Sequence, residues 1–104
     1  MDKIKGLKKS LLDDIIDVIL KYKKPEKIMV FGSRTGTDFR ASSDIDIAIF
    51  GRAWTDKDIN MVKNDLEENL KTPLKFDVLN FYNIDKDKLK DDILRKGRVV
   101  YGED

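Results

Sequence analysis

The chain has no cysteine and no histidine. The first absence excludes disulfides and thiolate metal sites. The second removes Ser-His and Cys-His nucleophilic catalysis, and histidine-bound zinc, in one step. No apolar run approaches the roughly 18 residues that a membrane-spanning helix needs. The opening segment, MDKIKGLKKS, carries charge with no long apolar stretch behind it, a poor secretory leader. The expected location is therefore cytoplasmic, with no membrane partner. Proline is scarce, and no repeat, linker or low-complexity segment interrupts the 104 residues. That length predicts one domain, residues 1–104, around one modest core. Net charge is only +1, so no global field draws nucleic acid, and no direct nucleic-acid partner is expected. Any catalysis must run on carboxylates, hydroxyls, basic groups and oxygen-bound metals.

What is present is charge, at 39% of residues, and its distribution is uneven. Residues 1–43 hold ten basic and six acidic side chains; residues 44–104 hold eleven and fourteen. Solvated helix faces explain most of this. A basic rim beside a phosphate-binding turn would explain the remainder. Residues 4–22 predict a helix: Ile4, Leu7, Leu11, Ile15, Val18 and Tyr22 recur at helical steps, with Leu12, Ile16 and Ile19 flanking them. The stripe is wide enough to pack on a sheet and extend into a homo- or hetero-oligomeric contact. Lys23-Lys24-Pro25 stops the helix. Lys27–Phe31 is a short apolar strand.

Thr55 reads as an N-cap, with acids in the first turn of a helix running to about Leu70 on a stripe of Ile59, Val62 and Leu66. Trp54, just ahead of it, fits a hydrophobic staple on Ile59 better than a base-stacking surface. Residues 74–80, LKFDVLN, alternate as a third strand, with Leu74, Phe76 and Val78 on one face and Lys75, Asp77 and Leu79 on the other. A last helix is expected over Asp85–Lys96, with Leu89, Ile93 and Leu94 inward and Gly97 as its stop. Val99-Val100-Tyr101 is an extended tail that either joins the sheet edge or packs on the first helix. The fold class is α/β (α+β): a small mixed sheet flanked by helices.

The chemistry concentrates in IMVFGSRTGTDFRASSDIDIAIFG, residues 28–51. A strand ends in Gly32-Ser33; Thr35 to Ser43 is a short helix or loop; a second strand carries Asp44 and Asp46. Alternation puts both aspartates on one face and Ile45, Ile47 and Ile49 on the other. Two carboxylates so close repel unless a hard cation such as Mg²⁺ sits between them. Gly32 lets backbone amides approach a ligand, Ser33 adds a hydroxyl, and Arg34 adds a forked donor suited to phosphate. Ser42 and Ser43 set the entry to the second strand, Ser43 beside the acids. Asp77 is a charge within an apolar strand. By itself it reads as an edge residue in water or paired with Lys75; beside an acidic pair it reads as a third ligand.

GSR, ten residues, then the acidic pair in an apolar strand, and an aspartate in a later strand: this pattern resembles the polymerase beta-like nucleotidyltransferase superfamily, and within it the minimal nucleotidyltransferases. The resemblance covers nearly the whole chain. It implies that fold. Gly32, Ser33, Arg34 and Ser43 would lie around the nucleotide phosphates. Asp44, Asp46 and Asp77 would be catalytic and hold two Mg²⁺ ions, with ATP as co-substrate. Gly36 follows Arg34 by two positions where the family often has three, so a locally reshaped loop is expected. The resemblance also implies an antitoxin that transfers AMP to a tyrosine of a helical HEPN-family partner. Two alternatives remain, the first in another class. One is a non-catalytic module that neutralises a partner by contact; the other is a small-molecule nucleotidyltransferase of aminoglycoside type.

Overall fold

The computed structural model describes residues 7–32, 44–70 and 72–103. In chain order these form α1 (Lys9–Tyr22), β1 (Lys27–Phe31), β2 (Ile45–Phe50), α2 (Asp56–Asn69), β3 (Phe76–Asn80), a 3-10 turn (Phe81–Asn83), α3 (Asp87–Lys96) and β4 (Arg98–Gly102). The four strands make one mixed sheet in the order β3-β2-β1-β4. β1 runs antiparallel to both β2 and β4, while β2 and β3 are parallel. Parallel neighbours need a crossover, and α2 supplies it. The C-terminal segment Val99–Tyr101 thus joins the sheet edge.

The sheet is covered on both faces, and the alternation of the strands assigns each side chain to one of them. Ile28, Ile45, Ile47, Ile49, Phe76 and Val78 pack with Ile15, Val18 and Ile19 of α1 and Ile59, Val62 and Leu66 of α2. Met29, Phe31, Ala48 and Phe50 turn the other way, against Ile93 of α3, with Leu79, Leu89 and Val99 at the margin. The all-isoleucine face of β2 is completely buried. Each such side chain contributes about 1.5–3 kcal/mol by leaving water.

Three boundaries differ from expectation. α1 begins at Lys9, not near Ile4: Leu7 and Lys8 are described and not helical, and Lys8 is extended (φ −70°, ψ 147°). The extended backbone at Lys8 ends the helix there, and no side chain caps that end. Ile4 itself lies outside the described residues. β3 begins at Phe76 because the Leu74 amide is taken by the Thr72 hydroxyl at 3.2 Å in a preceding turn. In α3, which starts at Asp87, Ile93 is buried but Leu94 is 53% exposed. Leu94 sits one residue, about 100° of helix, beyond the inward position.

α2 carries a capping box. The Thr55 hydroxyl accepts from the Asp58 amide at 3.2 Å, and Asp58 accepts from the Thr55 amide at 2.9 Å. Trp54 and Ile59, the residues before the cap and at the fourth helical position, are buried in the same cluster, as a staple requires. Lys23, just past α1, donates to Asp58 at 2.7 Å and to the Ala53 carbonyl at 2.8 Å, tying the two helices together. Farther along, the Tyr22 hydroxyl donates to Asp65 at 2.9 Å and the Asn69 amide donates to it at 2.7 Å. Those bonds, Asn69's first, hold the Asp65 carboxyl below its ordinary value against the opposing effect of burial.

The end of β3 is fastened by a residue that hydropathy does not flag. Asn80 is 6% exposed, the one buried polar residue among those described. Its amide donates to the Gly51 carbonyl at 2.7 Å and its oxygen accepts from the Tyr82 amide at 3.2 Å. A Cβ on Gly51 would overlap the Trp54 indole, so glycine is required where the loop folds back. Replacing Asn80 by alanine leaves buried backbone groups unpaired. Asn80→Ala is expected to lower the unfolding free energy by about 2–3 kcal/mol, read from urea denaturation.

Acid sensitivity gives a second measurement. The bonds from Lys23 and Thr55 pull the Asp58 carboxyl from 3.8 to about 2. A depressed folded pKa stabilises above the unfolded value and is lost as pH falls through the folded one. The melting-temperature advantage of wild type over Asp58→Asn should be full at pH 5 and shrink progressively toward pH 2. A gap that widens on acidification would refute the assignment.

Candidate functional site

The candidate site lies where β1 ends and β2 and β3 begin. Phe31, the last residue of β1, pairs with Asp46 of β2, and Asp46 in turn sits in register with Asp77 of β3. Register partners on a parallel ladder lie about 4.8 Å apart and project to the same face. That face is the one α3 covers farther along, at Ala48 and Phe50. The cover stops short of the acids: Asp77 is exposed and Asp46 half-buried, whereas Ala48 is fully buried. Asp44 precedes β2 by one residue and is exposed. Its spacing from Asp46 keeps it on the same side.

Gly32 closes the site from the β1 side. Its φ is +83°, a conformation that L side chains rarely adopt. A Cβ built there would overlap Oδ2 of Asp46 and stand 3.1 Å from its Cγ. Gly32 is therefore needed twice, for the turn and for room beside the carboxylate. The sequence suggested a turn and a close ligand approach, not the room beside Asp46.

The structure thus brings together Gly32, Asp46 and Asp77, with Asp44 at the mouth. Ser33, Arg34 and Ser43, expected around the nucleotide phosphates, lie outside the described residues. Among the described residues, no three acids are disposed as a ready-made metal cage. The donor set nonetheless suits a hard divalent cation, being carboxylate oxygen throughout. Asp77 makes no ion pair with Lys75 or with any other described residue. Of the two forms of the edge-residue alternative for Asp77, the pairing with Lys75 is absent, while exposure to water on an edge strand is what the structure shows. A carboxylate pair held on adjacent strands at an open sheet end, beside a glycine turn, can bind a cation and the phosphate it neutralises.

A family model described as polymerase beta nucleotidyltransferase matches residues 13–104. The chain belongs to the polymerase beta nucleotidyltransferase family. The match includes every residue of the site just described. The fold is shared with solved toxin-antitoxin structures. A chain of the toxin-antitoxin pair MntA-HepT aligns at 18% identity with a TM-score of 0.73, over 92% of this chain and 74% of that one. A complex of a tri-AMPylated Shewanella oneidensis HEPN toxin with an MNT antitoxin gives 19% identity and a TM-score of 0.71, over 90% and 71%. A toxin-antitoxin structure with AMP-PNP gives 20% and 0.69, over 88% and 73%. No curated protein matches the chain. The mixed sheet flanked by helices is the polymerase beta-like nucleotidyltransferase fold that the sequence motifs implied.

The requirement at Gly32 can be measured without any ligand. Gly32→Ala should destabilise by at least about 1–2 kcal/mol from the left-handed backbone alone, with the clash against Asp46 added. In the double variant Gly32→Ala with Asp46→Ala, the clash portion should return and the backbone portion should not. Chemical denaturation of the four proteins in the cycle separates the two. Strict additivity would show that the glycine and the carboxylate do not compete for space.

Proposed function

We propose that this chain transfers AMP from ATP to a hydroxyl, and that the acceptor is a tyrosine of a helical HEPN-family toxin, which the chain thereby neutralises as a cytoplasmic antitoxin. The observation that carries the reading is the register Asp46–Asp77 at an open sheet end, with Gly32 against Asp46. The family membership supports nucleotidyl transfer. The likeness in fold to chains from toxin-antitoxin complexes, one of them with a tri-AMPylated toxin, supports the acceptor.

Asp44, Asp46 and Asp77 would hold two Mg²⁺ ions. Such ions, when bound, neutralise the phosphates and sharpen the acceptor hydroxyl as a nucleophile. The remaining roles fall to the chain itself. The Gly32 turn admits the phosphates close to backbone, and Ser33, Arg34 and Ser43 would line them. Asp77, on the edge strand β3, would take the proton of the attacking hydroxyl. The hydroxyl oxygen attacks the α-phosphorus, the bond between the α- and β-phosphates breaks, and pyrophosphate leaves. Holding both reactants at one sheet end is the main contribution of so small a scaffold.

Incubation with ATP, Mg²⁺ and a HEPN-family partner should raise the partner's mass by one or more AMP units. Asp44→Asn, Asp46→Asn and Asp77→Asn should each slow this by roughly a hundredfold or more. Neutralisation that persists at full strength in all three variants would make the protein a contact-only antitoxin.

A further inference from the structure

Lys75 stands one residue before β3, and its carbonyl accepts the Ile45 amide at 3.0 Å. That bond continues the ladder one step outward from the pair Ile45–Phe76. Alternation then puts Lys75 and Asp77 on one face, with Leu74, Phe76 and Val78 on the other. Burial agrees: Lys75 and Asp77 are exposed, Phe76 and Val78 are buried, and Leu74 packs against their cluster. Lys75 is therefore placed beside Asp44 much as Asp77 is placed beside Asp46. With a carboxylate on each of two sides, it still forms no ion pair among the described residues. Lys9, Lys21 and Lys23, by contrast, each bridge an acid.

The geometry points to Lys75 as a further binding residue of this site, its ammonium holding an anionic oxygen of the reacting pair on the β3 side, opposite Gly32. The inference rests on the nucleotidyl-transfer reading above. A cationic side chain beside the carboxylates can hold an anionic oxygen in addition to whatever metal ions neutralise. Gly32 bounds the β1 side. On the β3 side, Lys75 is the cation that the ladder aims at the acids' face. Its compact charge on a long flexible stem reaches an anion without disturbing the backbone bond to Ile45. The anionic oxygen has two sources, a phosphate of the nucleotide or the attacking oxygen of the acceptor.

Calorimetric titration of AMP-PNP with Mg²⁺ into wild type, Lys75→Met and Lys75→Arg distinguishes them, with AMP transfer to the partner protein measured in parallel. Unchanged melting curves, expected for an exposed residue, exclude a folding effect. If the oxygen belongs to a phosphate, Lys75→Met binds AMP-PNP roughly tenfold or more weakly and Lys75→Arg restores most of it. If it belongs to the acceptor, AMP-PNP affinity holds while transfer by Lys75→Met falls about tenfold or more and Lys75→Arg rescues it. Wild-type values for Lys75→Met in both measurements, with wild type active, overturn the inference alone. A wild-type protein that neither binds AMP-PNP nor transfers AMP overturns the reading beneath it, and the inference with it.

Discussion

The close approach of the Asp46 carboxylate to Gly32 is the constraint on which the site depends. It joins the end of β1 to the start of β2, beyond the part of the sheet's second face that α3 covers. A side chain at Gly32 would push Asp46 away from that edge, and Asp46 is the residue that registers with Asp77. The same glycine allows the left-handed turn that leads the chain off the strand. One missing Cβ therefore leaves room for a carboxylate at the same residue whose backbone takes a left-handed conformation.

Placing charge at this edge is tolerable because the opposite face of the same strands is so apolar. Ile45, Ile47 and Ile49 are fully buried against α1 and α2, and they hold β2 in place whatever the aspartates do. β-branched side chains are stiff and fill a pleated surface well. The strand thus has a rigid back and a charged front. The parallel pairing to β3 extends this arrangement: Phe76 and Val78 anchor the back, while Asp77 is delivered to the front. The Asn80 clamp on Gly51 and the capping box on α2 both fix the start of the crossover that makes the pairing parallel.

Much of this was legible in the sequence, and for physical reasons. The helical stripe of α1, the isoleucine alternation of β2 and the Thr55 cap are local signals whose periods differ, so they point to one answer. Asp44, Asp46 and Asp77 stood out because charge in an apolar strand needs a reason. Other features were not local. Asn80 looks like an ordinary polar strand end; its role exists only because the loop at Gly51 folds back over it. Leu94 falls near the apolar stripe of α3 yet faces solvent, since a short helix offers the sheet a narrow contact. Gly32 was visible as a turn, but its contact with Asp46 requires the antiparallel register of β1 and β2, which no window of sequence contains.

That register also explains how little freedom the site has. Side chains alternate strictly, so a slip of one residue between β2 and β3 would turn Asp77 to the α1–α2 face and bring Val78 to the acids. Such a slip would bury a carboxylate among Ile47, Val62 and Leu66 and expose Phe76, a cost of several kcal/mol on each count. The hydrophobic pattern of β3 therefore does more than build a core. By making every other register expensive, Phe76 and Val78 determine where the only charged residue of that strand can stand. The same pattern carries Lys75 to the front with it, so a cation and a carboxylate arrive at the acids' edge as a single unit fixed by the two apolar residues between and beyond them.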